Sequence, residues 1–165
     1  MIRPATPADA PAIAALYNHY ILNTVVTFEE DPVNGAEIAR RMHDVAESGW
    51  PWLVACDEAA DGAVVGWAYA TRFRPRASFR HSVETSVYVA DGAARRGWGS
   101  GLYRELLPRL REAGARAVIG GLSLPNDASV ALHEAFGFEK VAHFRQVGHK
   151  FGRWIDVGYW ELLLT

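Results

Sequence analysis

Within residues 9–20, apolar side chains recur at Ile13, Leu16, Tyr17 and Tyr20, a spacing that predicts a helix entered at the acidic Asp9. Ile38, Met42 and Val45 share one face of a second helix predicted over 34–47, with Gly49 just beyond its end. Two strand-like runs follow at 52–56 and 64–71, separated by a polar turn at 57–62, and read as an antiparallel hairpin. Residues 82–90 alternate through Val83, Thr85, Val87 and Val89, a strand that stops at Asp91-Gly92-Ala93-Ala94. Past a glycine-rich turn, Leu102, Leu106, Leu107 and Leu110 form the apolar face of a helix reaching Ala113, with Gly114 as its stop. A strand at 117–122 leads to a helix capped by Asn126 or Asp127, on which Val130, Leu132 and Phe136 are expected to point inward. Two last strand-like stretches, 139–147 and 155–164, flank a basic, aromatic turn. This order, free of repeats or linkers, predicts a single α+β domain over residues 1–165, built around one mixed sheet.

Composition narrows the function classes. A chain of 165 residues, half of them hydrophobic, buries a core without disulfides or metal. Its net charge of −2 provides no global field toward nucleic acid or an anionic membrane, so neither is expected as a partner. The single cysteine, Cys56, lies in the apolar run Trp52-Leu53-Val54-Ala55 and reads as a buried strand position. No apolar run approaches the ~20 residues of a membrane span, and the N-terminus lacks a signal peptide's apolar core. A cytoplasmic location is expected. The six histidines show no metal-ligand spacing, so no catalytic metal is expected.

Candidate chemistry starts at Arg95-Arg96-Gly97-Trp98-Gly99-Ser100-Gly101, between a strand and a helix. Free backbone N–H groups and the helix dipole favour an anion there, glycine permits close approach, and two arginines suit a pyrophosphate. The same segment also reads as a flexible turn with solvated arginines. A Walker loop needs Gly-Lys-Ser/Thr, whereas Gly97 is followed by Trp98-Gly99. A dinucleotide fingerprint needs a third glycine where Leu102 stands, and an acidic residue where the next strand ends in Gly120-Gly121-Leu122.

Taken with that loop, Val83-Glu84-Thr85-Ser86-Val87-Tyr88-Val89, Leu124-Pro125-Asn126-Asp127 and Leu132-His133-Glu134 resemble GNAT acetyltransferases. Within that superfamily they look like the phosphinothricin and methionine sulfoximine acetyltransferase group, as does the closing 148–157 segment. The resemblance implies a GNAT fold of about seven strands and four helices. It implies acetyl-CoA as cosubstrate, a small amino-acid-like acceptor and a homodimer. It places Val87, Tyr88 and Val89 at the acetyl and pantetheine site, Arg95, Arg96, Gly97, Trp98, Gly99 and Ser100 at the pyrophosphate, and Asn126 on the pantetheine. The chain departs from the family at Ala94, where the loop usually opens with Gln or Arg, and Arg95 stands beside it.

Amide formation needs a neutral amine, so a base must take a proton. Glu84 lies in an otherwise apolar strand where burial raises a carboxyl's pKa, and the resemblance places a glutamate at the substrate amine. A strand glutamate facing solvent is the alternative. His133 falls seven residues after Asn126, where many relatives carry a tyrosine that protonates the leaving thiolate. The alternative there is a helical histidine satisfied by a neighbour. The run 72–80 alternates basic and aromatic residues, and in the family's frame Arg74, Arg76 and Phe79 border the acceptor, with Thr85, Phe28 and Lys150 adding to its walls. Phe151 and Trp154 suit a dimer contact as well as a substrate contact.

Overall fold

The computed structural model describes residues 1–165. Strand β1 (Ile2–Pro4) leads through a short 3-10 turn into α1 (Ala10–Asn23) and α2 (Gly35–Glu47). The hairpin β2 (Trp52–Asp57) and β3 (Ala63–Arg72) follows, then β4 (Ser82–Val89), α3 (Trp98–Glu112), β5 (Ala117–Leu124), α4 (Asp127–Ala135), β6 (Glu139–Lys150) and β7 (Arg153–Leu163). The seven strands form one mixed sheet in the order β1-β2-β3-β4-β5-β7-β6, in which only β4 and β5 run parallel.

Strand alternation sorts side chains to two faces. Tyr17 of α1 packs edge-on against Trp67 and Tyr88, so α1 covers the face that also carries Tyr69, Ser86 and Glu84. The opposite face presents Gly66, Ala68 and Thr85 to α3, whose Leu102, Leu106 and Leu110 are fully buried along one helical stripe. Each such leucine contributes about 1.5–3 kcal/mol relative to exposure.

Two local expectations changed, and one short strand is new. Asp9 is not a free first-turn acid: its carboxylate binds both terminal nitrogens of Arg3 at 2.8 and 2.9 Å and accepts from the Thr6 amide at 2.7 Å. It thereby ties α1 to β1, a three-residue strand too short for any periodic signal. The presumed turn over 148–154 is mostly strand. Only Phe151 and Gly152 turn, both at positive φ, the backbone that a two-residue hairpin requires. At α4, Val130, Leu132 and Phe136 are half-buried and pack against the core as expected, and the fully buried side chain is His133.

Strand β4 pairs with β5 only from Ser82↔Ala117 to Glu84↔Ile119. Beyond that point β4 stays bound to β3 as far as Val89, and β5 stays bound to β7 as far as Leu124. The sheet therefore opens into a wedge starting at Glu84, and the β5-facing backbone groups of Thr85–Val89 have no strand partner.

Candidate active site

The wedge holds a cleft lined by Thr85, Ser86, Val87 and Tyr88 on one side and Gly121, Leu122 and Ser123 on the other, with Asn126, Ser129 and His133 of the α4 end and Val26 closing it. Two glycines of β5 make room at its base. A methyl on Gly121 would lie 3.2 Å from a Glu84 carboxylate oxygen and 3.1 Å from the Tyr159 ring, whereas one on Gly120 would lie 2.5 Å from His133 Nε2. Glu84 and His133 thus sit on opposite faces of the same backbone.

The Glu84 carboxylate accepts no hydrogen bond from the protein. Burial raises its pKa above the ordinary glutamate value, and the Arg74 guanidinium opposes part of that rise. A partly desolvated carboxylate with open lone pairs is the chemistry of a proton acceptor.

His133 is 3% exposed and both its nitrogens are engaged. Nδ1 lies 2.7 Å from the Ser129 carbonyl, which can only accept, so Nδ1 carries the proton. Burial lowers the ring's pKa and keeps it neutral, leaving Nε2 to accept from the Tyr103 hydroxyl at 2.8 Å. Tyr103 in turn accepts from Thr85 Oγ1 at 3.1 Å. In the resulting chain, Thr85 to Tyr103 to His133 to Ser129, the first three residues are buried and Ser129 is half-buried. Thr85 borders the cleft with its side chain on the face of β4 opposite Glu84. In this tautomer the His133 proton sits on Nδ1 and Nε2 accepts.

Beyond the cleft a larger groove of about 510 Å³ runs between the end of β4 and α4. Val87, Tyr88, Val89, Arg95, Gly97, Trp98, Gly99, Ser100 and Asn126 all border it. Gly97, at φ 80°, is the N-cap of α3, and the next three amides start the helix facing the groove mouth, an anion site by geometry. Asn126 caps α4 through its side-chain oxygen at 3.3 Å from the Ser129 amide. Arg96 alone among the predicted loop residues lies outside: its guanidinium turns back 2.8 Å onto Asp57, the nearly buried acid at the end of β2. Tyr20 and Val26 border the groove without having been anticipated, and the Tyr20 hydroxyl donates to the Val89 carbonyl.

The parallel pair β4–β5 splits at Glu84 and a glycine-capped helix stands at the mouth of the opening. The acetyltransferase (GNAT) domain family matches residues 2–158. The chain belongs to the GNAT acetyltransferase family. It is 40% identical to an L-methionine sulfoximine/L-methionine sulfone acetyltransferase of Pseudomonas aeruginosa, covering 99% of this chain and 94% of the relative. It is 39% identical to a phosphinothricin N-acetyltransferase of Streptomyces viridochromogenes over 97% of this chain and 85% of that one. A phosphinothricin acetyltransferase of Sinorhizobium meliloti, solved with acetyl-CoA, superposes with a TM-score of 0.95 at 38% identity, over 99% of this chain and 88% of that one.

Five of the residues expected around the acceptor lie away from the cleft and groove. Arg74, Arg76 and Phe79 lie on an exposed loop after β3; Arg74 sits 4.1 Å over the Phe73 ring, and it is the one cation that acts on Glu84. Phe28 is 41% exposed and lays its ring on the backbone of Gly148. Lys150 is 1% exposed, and its ammonium donates to the Thr27 carbonyl at 2.8 Å. None of these five borders the cleft or the groove. Phe28 and Lys150 instead fasten the α1–α2 loop to β6, which sets where Val26 enters the cleft. No group of histidine, cysteine or acidic residues is arranged to hold a metal ion, and no helix is long and apolar enough to cross a membrane.

Proposed function

We propose that the protein transfers acetyl from acetyl-CoA directly, in a ternary complex, to the α-amino group of a small amino-acid analogue of the phosphinothricin, methionine sulfoximine or methionine sulfone type. The observation carrying this reading is Glu84: a partly buried carboxylate without a protein partner, poised where β4 and β5 part. Glu84 takes the ammonium proton, directly or through a water, freeing the amine to attack the thioester carbonyl. The unpaired β4 amides beyond Glu84 offer donors to the oxygen that gains charge in that attack. The α3 N-terminus and Arg95 hold the pyrophosphate, and Val87, Tyr88, Val89 and Asn126 flank the pantetheine arm. His133 stiffens this site from behind through Tyr103 and Thr85.

Acceptor recognition falls to side chains around Glu84. The cationic Arg74 beside it suits an α-carboxylate and disfavours a polyamine, whose own positive charges call for carboxylate walls. A cytoplasmic enzyme, with its one cysteine buried and reduced, belongs to the same reading. So does a homodimer. Strand β6 is the sheet's outer edge and leaves Val141, Phe144 and Val147 more than half exposed, as is Trp154 beside it. Sedimentation at two protein concentrations should give twice the 18.2 kDa chain mass; a monomer at both rejects the dimer.

Thiol release from acetyl-CoA, followed against methionine sulfone, methionine sulfoximine, phosphinothricin, a polyamine and an N-terminal peptide, tests the reading. Saturable turnover on the first three is expected. Turnover confined to the polyamine or the peptide would reject the acceptor class. The two loop arginines should separate in the same assay. Arg95→Ala is expected to raise the KM for acetyl-CoA about tenfold through loss of one charged phosphate contact. Arg96→Ala should leave that KM alone and cost about 1 kcal/mol, since the guanidinium is half exposed although its partner Asp57 is buried.

A further inference from the structure

The chain carries 17 basic side chains, and only two of them are lysines, Lys140 and Lys150. Lys150 is 1% exposed and closed against Thr27, so Lys140, on the outer strand β6, is the one lysine that solvent reaches. Its surroundings are unlike those of the paired arginines. Arg3, Arg40, Arg41, Arg96 and Arg109 each sit on a carboxylate. The Lys140 ammonium meets none, and instead stands 3.1 Å from His143 Nδ1 and 5.2 Å from the centre of the Trp160 ring. That ring is buried, and its indole N–H donates to Glu134 at 3.2 Å, so the surface under the lysine is fixed.

A third residue sets the histidine. His143 Nε2 lies 2.8 Å from one oxygen of Asp156, and the other oxygen accepts the Gln146 amide at 2.9 Å. His143 and the Gln146 amide together hold the Asp156 carboxyl below the ordinary aspartate value, so it is ionised and can only accept. Nε2 therefore carries the imidazole proton, and Nδ1 turns its lone pair toward the lysine nitrogen. Strand register assembles the trio. Lys140 pairs with Trp160 and His143 with Gly158, and Asp156 lies two residues before Gly158 on the same face of β7. Phe144 packs on Tyr159, which points the other way from Trp160, so the trio and that exposed apolar side chain occupy different faces.

An amine, a base hydrogen-bonded to it and an acid that fixes the base's tautomer are the parts of a nucleophilic site. None of the three residues lines the acetyl cleft or the cofactor groove. We propose that Lys140 is a self-acetylation site, an amine that His143 and Asp156 activate to take the acetyl group of acetyl-CoA outside the active site. Once Nζ has lost a proton to water, its lone pair attacks the thioester carbonyl. As the C–N bond forms, His143 Nδ1 takes the surplus proton. The C–S bond then breaks, coenzyme A leaves as the thiolate, and the imidazolium returns the proton to the sulfur. The products are acetylated Lys140 and the free thiol, and the positive charge over the Trp160 ring is gone.

The test incubates the full-length protein with acetyl-CoA and no acceptor, and follows acetylation by peptide mass mapping. Lys140 is expected to gain one acetyl group at least about tenfold faster than Nα-acetyl-lysine in the same solution, with Lys150 unmodified. His143→Gln removes the base. Asp156→Asn offers an N–H where Nε2 needs an acceptor, which moves the imidazole proton to Nδ1. Each variant should slow the Lys140 reaction by about tenfold or more. Coenzyme A binding by calorimetry shows that each is folded, and a folding failure in one leaves the other to decide. Glu84→Gln should leave the Lys140 rate unchanged; a fall there would assign the transfer to the active site of a neighbouring molecule and overturn the proposal. A Lys140 rate no higher than that of the free amino acid, or one unaltered in a folded His143→Gln or Asp156→Asn variant, overturns it as well.

Discussion

Glu84→Gln should lower kcat/KM by about 10²–10⁴-fold with acetyl-CoA affinity unchanged, the usual range for loss of a positioned general base. The amide keeps the side chain's shape above Gly121 but cannot accept the ammonium proton. The pH profile carries a second signature. In the wild type the rate should rise with pH through a limb lying above the ordinary glutamate value, because burial raises the carboxyl's pKa. That limb should vanish in the variant. Stability should move the other way. A glutamate whose pKa is higher folded than unfolded binds its proton more readily in the native state, so the wild type loses stability as pH rises from its unfolded pKa through its folded one. At neutral pH, Glu84→Gln should therefore melt higher than the wild type, the mark of a site held at a cost to the fold. Unchanged turnover in the variant would remove Glu84 as the base.

Gly120→Ala should destabilise the protein by about 1–3 kcal/mol and depress turnover, although it adds a single methyl far from solvent. That methyl would stand 2.5 Å from His133 Nε2 and 2.7 Å from its Cδ2. The ring cannot yield, since Ser129 and Tyr103 hold its two nitrogens and Phe138 packs edge-on at 5.0 Å. Relief must come from α4 or β5, both of which line the cleft. Combining the change with His133→Ala should be less costly than the sum of the two, because the methyl then occupies space the ring has left. Thermal melts of the two single variants and the pair measure this coupling, and strict additivity would show that the ring and the glycine do not compete. His133 also predicts a pH trend. Its folded pKa lies below the unfolded value, so the unfolded chain binds the proton first and stability falls as pH drops below about 6.5. In His133→Ala that contribution to the slope should disappear.

Helices and strands were legible in the chain wherever a periodic apolar pattern persisted for two turns or more. The stripe on α3 and the alternation of β4 are local facts, and packing only reinforced them. The loop at 95–100 was legible for a related reason, since a glycine N-cap following a strand creates an anion site whatever the rest of the fold does. Glu84 stood out because a carboxylate inside an apolar strand is costly unless it has work to do.

Other features depend on residues distant along the chain. No local pattern says that Arg96 turns to Asp57, that Lys150 ends on the carbonyl of Thr27, or that Phe28 lies on Gly148. His133 illustrates the limit best. Its position in the helix suggested a proton donor, but the tautomer was decided by the Ser129 carbonyl on one side and Tyr103 on the other.

The sequence by itself determined the family, the order of the longer elements, the glycine-rich start of α3 and the carboxylate set inside an apolar strand, because each is written in residue types at short, fixed spacing. Tertiary structure decided that β4 and β5 part at Glu84 and that Arg95 borders the groove while Arg96 turns away to Asp57. Those outcomes follow from strand register and burial, which bring together residues tens of positions apart and which no run of neighbouring residues specifies.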